Sequence, residues 1–280
     1  MSLKPLPELC ALEPLNEDAT FDIRPEAIER WSPMADVSTD ASTISIFDRI
    51  GESPDGQGVT AKRISAALRS IGQRDLTVQI NSPGGNFFEG VAIYNLLRNH
   101  RAKVAVDVIG IAASAASIIA MAGDEIKMGH GSSLMIHNSE VVAMGNRHDF
   151  ADISSRLASI DTVMAQFYAN RTGIPLAEIA ALMDQETYFG PGEAVERGFA
   201  DGLLADSNRQ LQSGAVSRER KALACVEAAL AKAGYTRSQR RDTLKTFFSS
   251  TPSAAESKTT PSASPVVIDQ LHQLINTLTH

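Results

Sequence analysis

Two serines lie within a run of small apolar residues, 110–123, whose sequence is Gly-Ile-Ala-Ala-Ser-Ala-Ala-Ser-Ile-Ile-Ala-Met-Ala-Gly. Ser114 falls where a predicted strand turns into a helix, and an apolar strand ending in His137 follows. A serine exposed on a tight turn near an imidazole can act as the nucleophile of a hydrolase. A serine among alanines is also a common helix-packing residue. Ser117, one turn further on, is predicted to be buried packing.

Three further groups could support that chemistry, and each has an ordinary structural alternative. Gly84 and Gly85 follow a strand and could direct backbone N–H groups at an oxyanion, or form a plain turn. Asp184 and Glu186 could orient an imidazole, although most surface carboxylates have no such role. His137 could equally be a structural histidine. The histidine spacing contains no HxxxH or HxH pattern, so no metal site is predicted.

The elements that must position these residues alternate between strand and helix. Apolar or alternating strands are predicted at residues 43–47, 76–80, 103–108, 125–128 and 134–136. Helices are predicted between them, one capped by Thr60 and another carrying Val91, Tyr94 and Leu97. This alternation predicts an α/β fold with parallel βαβ units.

A long helix is predicted after this region, at about residues 147–170. Its apolar residues step by three and four from Phe150 to Phe167, which is typical of an amphipathic helix. Two interpretations stay open: the apolar face covers the domain's own core, or it packs on another subunit.

The two ends of the chain differ in composition from the middle. Residues 1–40 are predicted to be a loose extension that could wrap the domain, and residues 41–206 form the main domain. Residues 207–248 are predicted to be a charged helical segment, in which 217–233 is helical and charged and 236–248 is basic. Residues 249–265 are rich in Ser, Thr, Pro and Ala and are predicted to be disordered. Residues 266–280 form a short amphipathic helix that either docks on a partner or remains a free tail.

Composition excludes several classes of protein. The chain has 280 residues, 43% of them hydrophobic, and a formal net charge of −7, whereas nucleic-acid-binding proteins are normally basic. Cys10 and Cys225 are far apart and predict neither a disulfide framework nor a zinc site. No apolar run reaches the length of a membrane span, and no secretory signal is evident, so a cytoplasmic protein is expected.

Four motifs in this order resemble the proteolytic subunit of the Clp protease family. They are residues 81–85 (Asn-Ser-Pro-Gly-Gly), 112–115 (Ala-Ala-Ser-Ala), 135–137 (Met-Ile-His) and 193–201 (Glu-Ala-Val-Glu-Arg-Gly-Phe-Ala-Asp). The similarity is greatest to the Clp-related head maturation (prohead) proteases of tailed phages and prophages. It implies a crotonase-like α/β spiral of ββα units with a projecting long helix.

The resemblance also implies roles for individual residues. Ser114 would be the nucleophile, His137 the general base, and the N–H groups of Gly84 and Ala115 the oxyanion hole, with Gly85 beside them. The acid of the family lies seven residues before the Glu-Ala-Val motif, where this chain has Glu186 in place of the usual aspartate. Asp184 remains the alternative. No cofactor or metal is implied.

The implied partners are further copies of the chain in a ring, with phage capsid and scaffold proteins as substrates in the host cytoplasm or prohead. The alternatives are a housekeeping subunit that works with an ATP-driven AAA+ unfoldase, and a non-catalytic scaffold protein that keeps the fold. A hydratase on the related crotonase fold is disfavoured, because it needs acid/base carboxylates rather than a Ser-His pair.

Overall fold

A computed structural model describes residues 20–33, 41–52, 58–205 and 215–249 of the 280-residue chain. The strands are β1 (Thr20–Phe21), β2 (Thr43–Ile46), β3 (Leu76–Ser82), β4 (Val104–Ala113), β5 (Glu125–Met128), β6 (Ser133–Ile136), β7 (Val141–Val142), β8 (Thr187–Phe189) and β9 (Gly202–Leu203). The helices are α1 (Pro25–Arg30), α2 (Ala61–Ile71), α3 (Phe87–Arg98), α4 (Ala115–Ala120), α5 (Arg147–Thr172), α6 (Leu176–Asp184), α7 (Pro191–Glu196), α8 (Ala215–Lys232) and α9 (Arg237–Ser249).

The main sheet is organised around β4, its longest strand. One edge of β4 pairs with β3, while the other edge pairs first with β5 and then with β6. Within the described residues the sheet has seven strands, and only the β6–β8 pair is antiparallel. This parallel-rich arrangement with helices between strands confirms the predicted α/β fold.

The register of these strands brings the predicted site residues to one edge of the sheet. Ala113 at the end of β4 is paired with Met135 on β6, and Ser82 on β3 is paired with Ala112. Because parallel strands end at the same edge, the turns that follow them are neighbours. Ser114, His137 and the glycines after β3 therefore share that edge.

The predicted helices form with the expected start and stop signals. The Thr60 hydroxyl caps α2 by accepting a hydrogen bond from Arg63 N at 3.3 Å. A capping box of Asn146 and Asp149 opens α5, and Gly173 ends it with a φ of 76°. These caps fix where α5 begins, and with it the loop that follows His137.

The two halves of the long helix α5 differ in what their apolar residues contact. Its second half is in the core, where Ile160, Met164 and Phe167 are each at most 2% exposed. Its first half is mostly exposed, and Phe150 retains 49% of its accessible surface. The apolar stripe thus covers the domain's own core only from about the middle of the helix onward.

A second, smaller core joins the two terminal extensions to the main sheet. Ile28 and Trp31 pack with Ile111 and Met135 of the sheet and with Ala228 of α8. Residues 20–33 therefore differ from the loose extension expected, because they pack against the domain around a Trp31 that is 1% exposed.

The C-terminal segment contains two helices, α8 and α9. The predicted linker begins at the last residue of α9, and residues 250–280, including the predicted short helix, lie outside the described residues. None of the helices within the described ranges combines the length and apolarity that a membrane crossing requires.

Candidate active site

Ser114 occupies a strained turn between β4 and α4. Its φ of 54° and ψ of −124° are rare for a residue with a side chain, and such conformations cost about 1–3 kcal/mol. The turn is fixed by the Ser114 N–H, which donates to Met135 O at 3.0 Å. The predicted position of this serine at a strand-to-helix turn is confirmed.

Gly84 is required for the close approach of its turn to Ser114. A Cβ on Gly84 would lie 2.8 Å from Ser114 Cβ and 2.6 Å from Ala113 O. Both distances are shorter than real side chains allow, and Gly84 also has a φ of 93°. Only glycine fits there without moving the nucleophile turn.

Ser117 is buried packing, as predicted. Its side chain is 0% exposed, and its hydroxyl is hydrogen-bonded to Ser114 O at 2.7 Å and to Tyr168 Oη at 2.8 Å. The second serine of the run therefore braces the nucleophile turn from inside the core.

The two glycines after β3 differ in what their N–H groups do. The Gly84 N–H donates to Ser82 Oγ at 3.2 Å, so it is already used within its own turn. Gly85 lines the cleft beside Ser114, and its N–H has no acceptor within the part of the chain that is described. The geometry therefore points to Gly85 and Ala115, rather than Gly84 and Ala115, as the N–H groups available to an oxyanion.

His137 lies directly after β6 and is 2% exposed. Burial, together with the positive charge of Arg24, lowers the pKa of His137 from its ordinary 6.5 to about 4. The imidazole is therefore neutral at pH 7, as a general base must be. Its buried Nδ1 has no hydrogen-bond partner among the described residues, and no hydrogen bond joins it to Ser114.

The two candidate acids are placed differently around His137. Ile136 and Thr187 form the last pair of the antiparallel β6–β8 ladder, and His137 and Glu186 are the residues next to that pair. Glu186 itself lies outside the ladder, since its φ is 51° and its N–H donates to Met183 O at 3.0 Å. Asp184 instead accepts a hydrogen bond from Asn138 Nδ2 at 2.7 Å.

Glu186 is bound to a residue that the sequence analysis did not single out. Arg24 donates from Nη2 to Glu186 Oε1, and its Nε lies 2.6 Å from Glu140 Oε2. A signal for this segment was present, because Pro25 is a favourable first residue of a helix and directly follows Arg24. No local sequence pattern indicates that Arg24 pairs with Glu186.

A cleft opens beside the nucleophile. Its lining comes from β1, from the turns after β3 and β4, from the loop before β7 and from α5: Phe21, Asp22, Gly85, Phe87, Ser114, Ala115, Ser139, Glu140 and Met164. The structure therefore brings Ser114, Gly85 and Ala115 together in one cleft. Neither Gly84 nor His137 is among its lining residues.

Comparison with known proteins gives consistent matches. The sequence model of the Clp protease family matches residues 39–207. An ATP-dependent Clp protease proteolytic subunit from Pleurastrum terricola is 34% identical over 136 residues, covering 48% of this chain and 69% of that protein. Its counterpart from Deinococcus radiodurans is 28% identical over 144 residues, covering 51% and 70%. The solved structure of a ClpP1 mutant from Listeria monocytogenes has the same fold, with a TM-score of 0.50 and 21% identity over 60% of this chain and 94% of that one.

Proposed function

Since the chain belongs to the Clp protease family, whose members are peptidases, we propose that it is a serine endopeptidase with Ser114 as the nucleophile. The observation that carries this proposal is the strained turn that presents Ser114 at a cleft beside a buried, neutral His137. Backbone strain of this kind persists only where the surrounding packing fixes it, and it is concentrated at active sites.

The proposed mechanism follows from these positions. His137 accepts the proton of the Ser114 hydroxyl as the oxygen attacks the peptide carbonyl carbon, and then donates it to the leaving amine. The N–H groups of Gly85 and Ala115 donate to the oxyanion that forms. Glu186 accepts from the imidazole N–H and stabilises the imidazolium. Glu186 is supported over Asp184 in that role because it adjoins the last pair of the β6–β8 ladder, as His137 does, whereas Asp184 is bound to Asn138.

A fluorophosphonate probe tests the nucleophile. We expect wild type to be labelled at Ser114 and to hydrolyse peptides, and Ser114→Ala to lose both activities. Ser70→Ala is the matched control, since it removes an exposed serine hydroxyl on α2, away from the nucleophile turn, and should remain labelled. Labelling of wild type at any other serine would refute the assignment.

The finer proposal is that the enzyme is a head maturation protease of a tailed phage or prophage, acting as a homo-oligomer on capsid and scaffold proteins. It is supported by the packed segments beyond the matched family region: residues 20–33 lie before it and residues 215–249 lie after it. Incubation with the capsid and scaffold proteins of the encoding phage tests it. Wild type should cleave them and Ser114→Ala should not, whereas intact proteins in both reactions would contradict this substrate assignment.

A second candidate is a proteolytic subunit that acts with an ATP-driven unfoldase. It is supported by the names of the relatives, which are ATP-dependent Clp protease proteolytic subunits. Degradation of a folded protein only when an AAA+ unfoldase and ATP are added would favour this candidate. If Ser114→Ala supported head assembly and processing as well as wild type does, the protein would instead be a non-catalytic scaffold.

A further inference from the structure

The chain's own N-terminal strap, residues 20–24, lies across the proposed active site. Thr20 and Phe21 form β1, which pairs antiparallel with β7, opposite Val142 and Val141 respectively. The ladder continues with Asp22 N–H, which donates to Glu140 O at 3.2 Å. β1 and β7 form a separate two-stranded sheet, so the strap is held by backbone hydrogen bonds to the segment that follows His137.

Phe21 places an apolar side chain at the nucleophile. It lines the same cleft as Ser114, and its ring lies 6.1 Å from that of Phe87 and 5.7 Å from that of Phe88, measured between centroids. The strap therefore occupies space that a peptide must enter to reach the Ser114 hydroxyl.

Arg24 ends the strap and holds the proposed triad acid. Its guanidinium pairs with Glu186 and with Glu140, while His137 Nδ1 remains buried without a hydrogen-bond partner in the described part of the chain. A buried polar atom without a partner is costly, so this state of the imidazole needs an explanation. The explanation is that Arg24 keeps the carboxylate that the imidazole would otherwise bind.

Several contacts outside the cleft hold the strap in place. Trp31 Nε1 donates to Asn81 O at 2.9 Å, and Lys221 Nζ of α8 donates to Glu29 O at 2.6 Å. The Arg30 guanidinium lies 4.1 Å from the centroid of the Tyr188 ring on β8. Helix α1 directly follows the strap and packs against α8, which comes from the C-terminal part of the chain. These two helices, which we call the helical cap, hold residues 20–24 in place.

We propose that the strap is an autoinhibitory segment, which fills the cleft with Phe21 and withdraws Glu186 from His137 through Arg24. The inference rests on the proposed peptidase function. The strap lowers the activity of wild type without abolishing it, because bound and released states of the strap exchange, and only the released state leaves Glu186 free to turn to the imidazole.

The test compares full-length wild type with Arg24→Ala, using the rate of Ser114 labelling by a fluorophosphonate and the hydrolysis of a short peptide. Loss of two partly exposed ion pairs should raise both rates by about tenfold. Arg69→Ala is the matched control, because Arg69 is exposed on α2, where it donates a hydrogen bond to Ser65 Oγ at 2.9 Å. Should Arg24→Ala fail to fold, Arg24→Gln removes the charge while keeping a long polar side chain.

Hydrogen exchange at the Val142 amide gives a readout that does not depend on catalysis, because the alternating bonds of the antiparallel β1–β7 pair place this N–H opposite Thr20. We expect faster exchange of this amide in Arg24→Ala, with exchange in β3 and β4 unchanged. Faster exchange with unchanged or slower labelling would overturn autoinhibition and leave the peptidase intact. Faster exchange with no labelling of either protein would overturn the peptidase itself, and the inference with it. Unchanged exchange would show that Arg24 does not hold the strap.

Discussion

Two side chains at the site depend on backbone conformations that L-residues rarely adopt. Among the described residues, Ser114 with a φ of 54° and Glu186 with a φ of 51° are the only non-glycine residues at positive φ. One is the proposed nucleophile, and the other is the proposed acid. Such strain is maintained only where the surrounding packing over-determines it, which is typical of functional residues.

Replacing the proposed acid should reduce turnover far more than replacing its neighbour. In a Ser-His-acid triad, an uncharged amide in place of the acid favours the wrong imidazole tautomer, so Glu186→Gln should lower kcat by about 10⁴-fold. Asp184→Asn is the matched control and should remain close to wild type. Both are measured with and without Arg24→Ala, so that release of the strap does not mask the loss. The reverse pattern would assign the acid role to Asp184.

Burial of neutral His137 should make the fold less stable in acid. The pKa of His137 is about 4 in the folded protein and close to 6.5 when unfolded, so the unfolded chain binds more protons between these values. Stability is therefore full above about pH 6.5 and falls towards pH 4 by about 3 kcal/mol. Urea unfolding across this pH range measures the loss.

His137→Gln is the control for that measurement. It removes the titrating group, so its unfolding free energy should change less with pH than that of wild type. An equal pH dependence in the two proteins would show that other groups are responsible.

At the scale of secondary-structure elements, α8 is joined to the main domain by a buried charge cluster. Glu227 is 5% exposed and pairs with Arg49 Nη1, and its Oε1 lies 4.0 Å from Arg240 Nη1 on α9. Breaking a buried ion pair by removing one partner is costly, because the remaining charge stays buried. The cluster thus locks the helical cap over the sheet.

Glu227→Ala should therefore loosen α8 and α9. We expect a loss of about 3–5 kcal/mol in the unfolding free energy and faster proteolysis of residues 215–249. Glu196→Ala, on the exposed side of α7, is the control and should stay within about 0.5 kcal/mol of wild type. Equal proteolysis of the two variants would show that the cluster does not hold the cap.

At the scale of the whole molecule, the first half of α5 presents an apolar surface without cover in the described part of the chain. Phe150 on α5 is 49% exposed, and Met144, three residues before the helix begins, is 65% exposed. Large exposed apolar side chains are typical of surfaces that associate. A second copy of the chain is the partner that the proposed homo-oligomer requires.

Phe150→Asp should shift the protein towards smaller species without unfolding it. A charge at this surface would be desolvated on association, which disfavours the contact. Light scattering after size-exclusion chromatography measures the mass, and circular dichroism checks the fold. Lys62→Asp on the exposed face of α2 is the control, and an unchanged mass for Phe150→Asp would exclude this surface from the interface.

Local sequence patterns were sufficient to predict most of the fold. The alternation of β-branched strands with amphipathic helices predicted the α/β sheet, and the Gly-Ile-Ala-Ala-Ser run predicted a strand-to-helix turn at Ser114. The role of Ser114 as a nucleophile was predicted from the resemblance to the Clp protease family. These features depend on residues within a few positions of each other, as do the caps at Thr60 and Asn146. The roles of Ser114, His137 and Glu186 in catalysis stay predictions until the variants are measured.

The tertiary structure decided what the distant segments do to the site. Arg24 and Glu186 are 162 positions apart, and nothing in either local sequence indicates their pairing. The choice of Gly85 over Gly84 likewise depends on which N–H is already bonded, a property of the folded turn. Sequence by itself determined the elements and the order of the chemical groups, because local periodicity and turn chemistry encode them. Only tertiary packing determined that the strap lies at the cleft, that Arg24 binds Glu186 and that His137 is buried. These contacts join parts of the chain that are far apart in sequence and meet only in the folded protein.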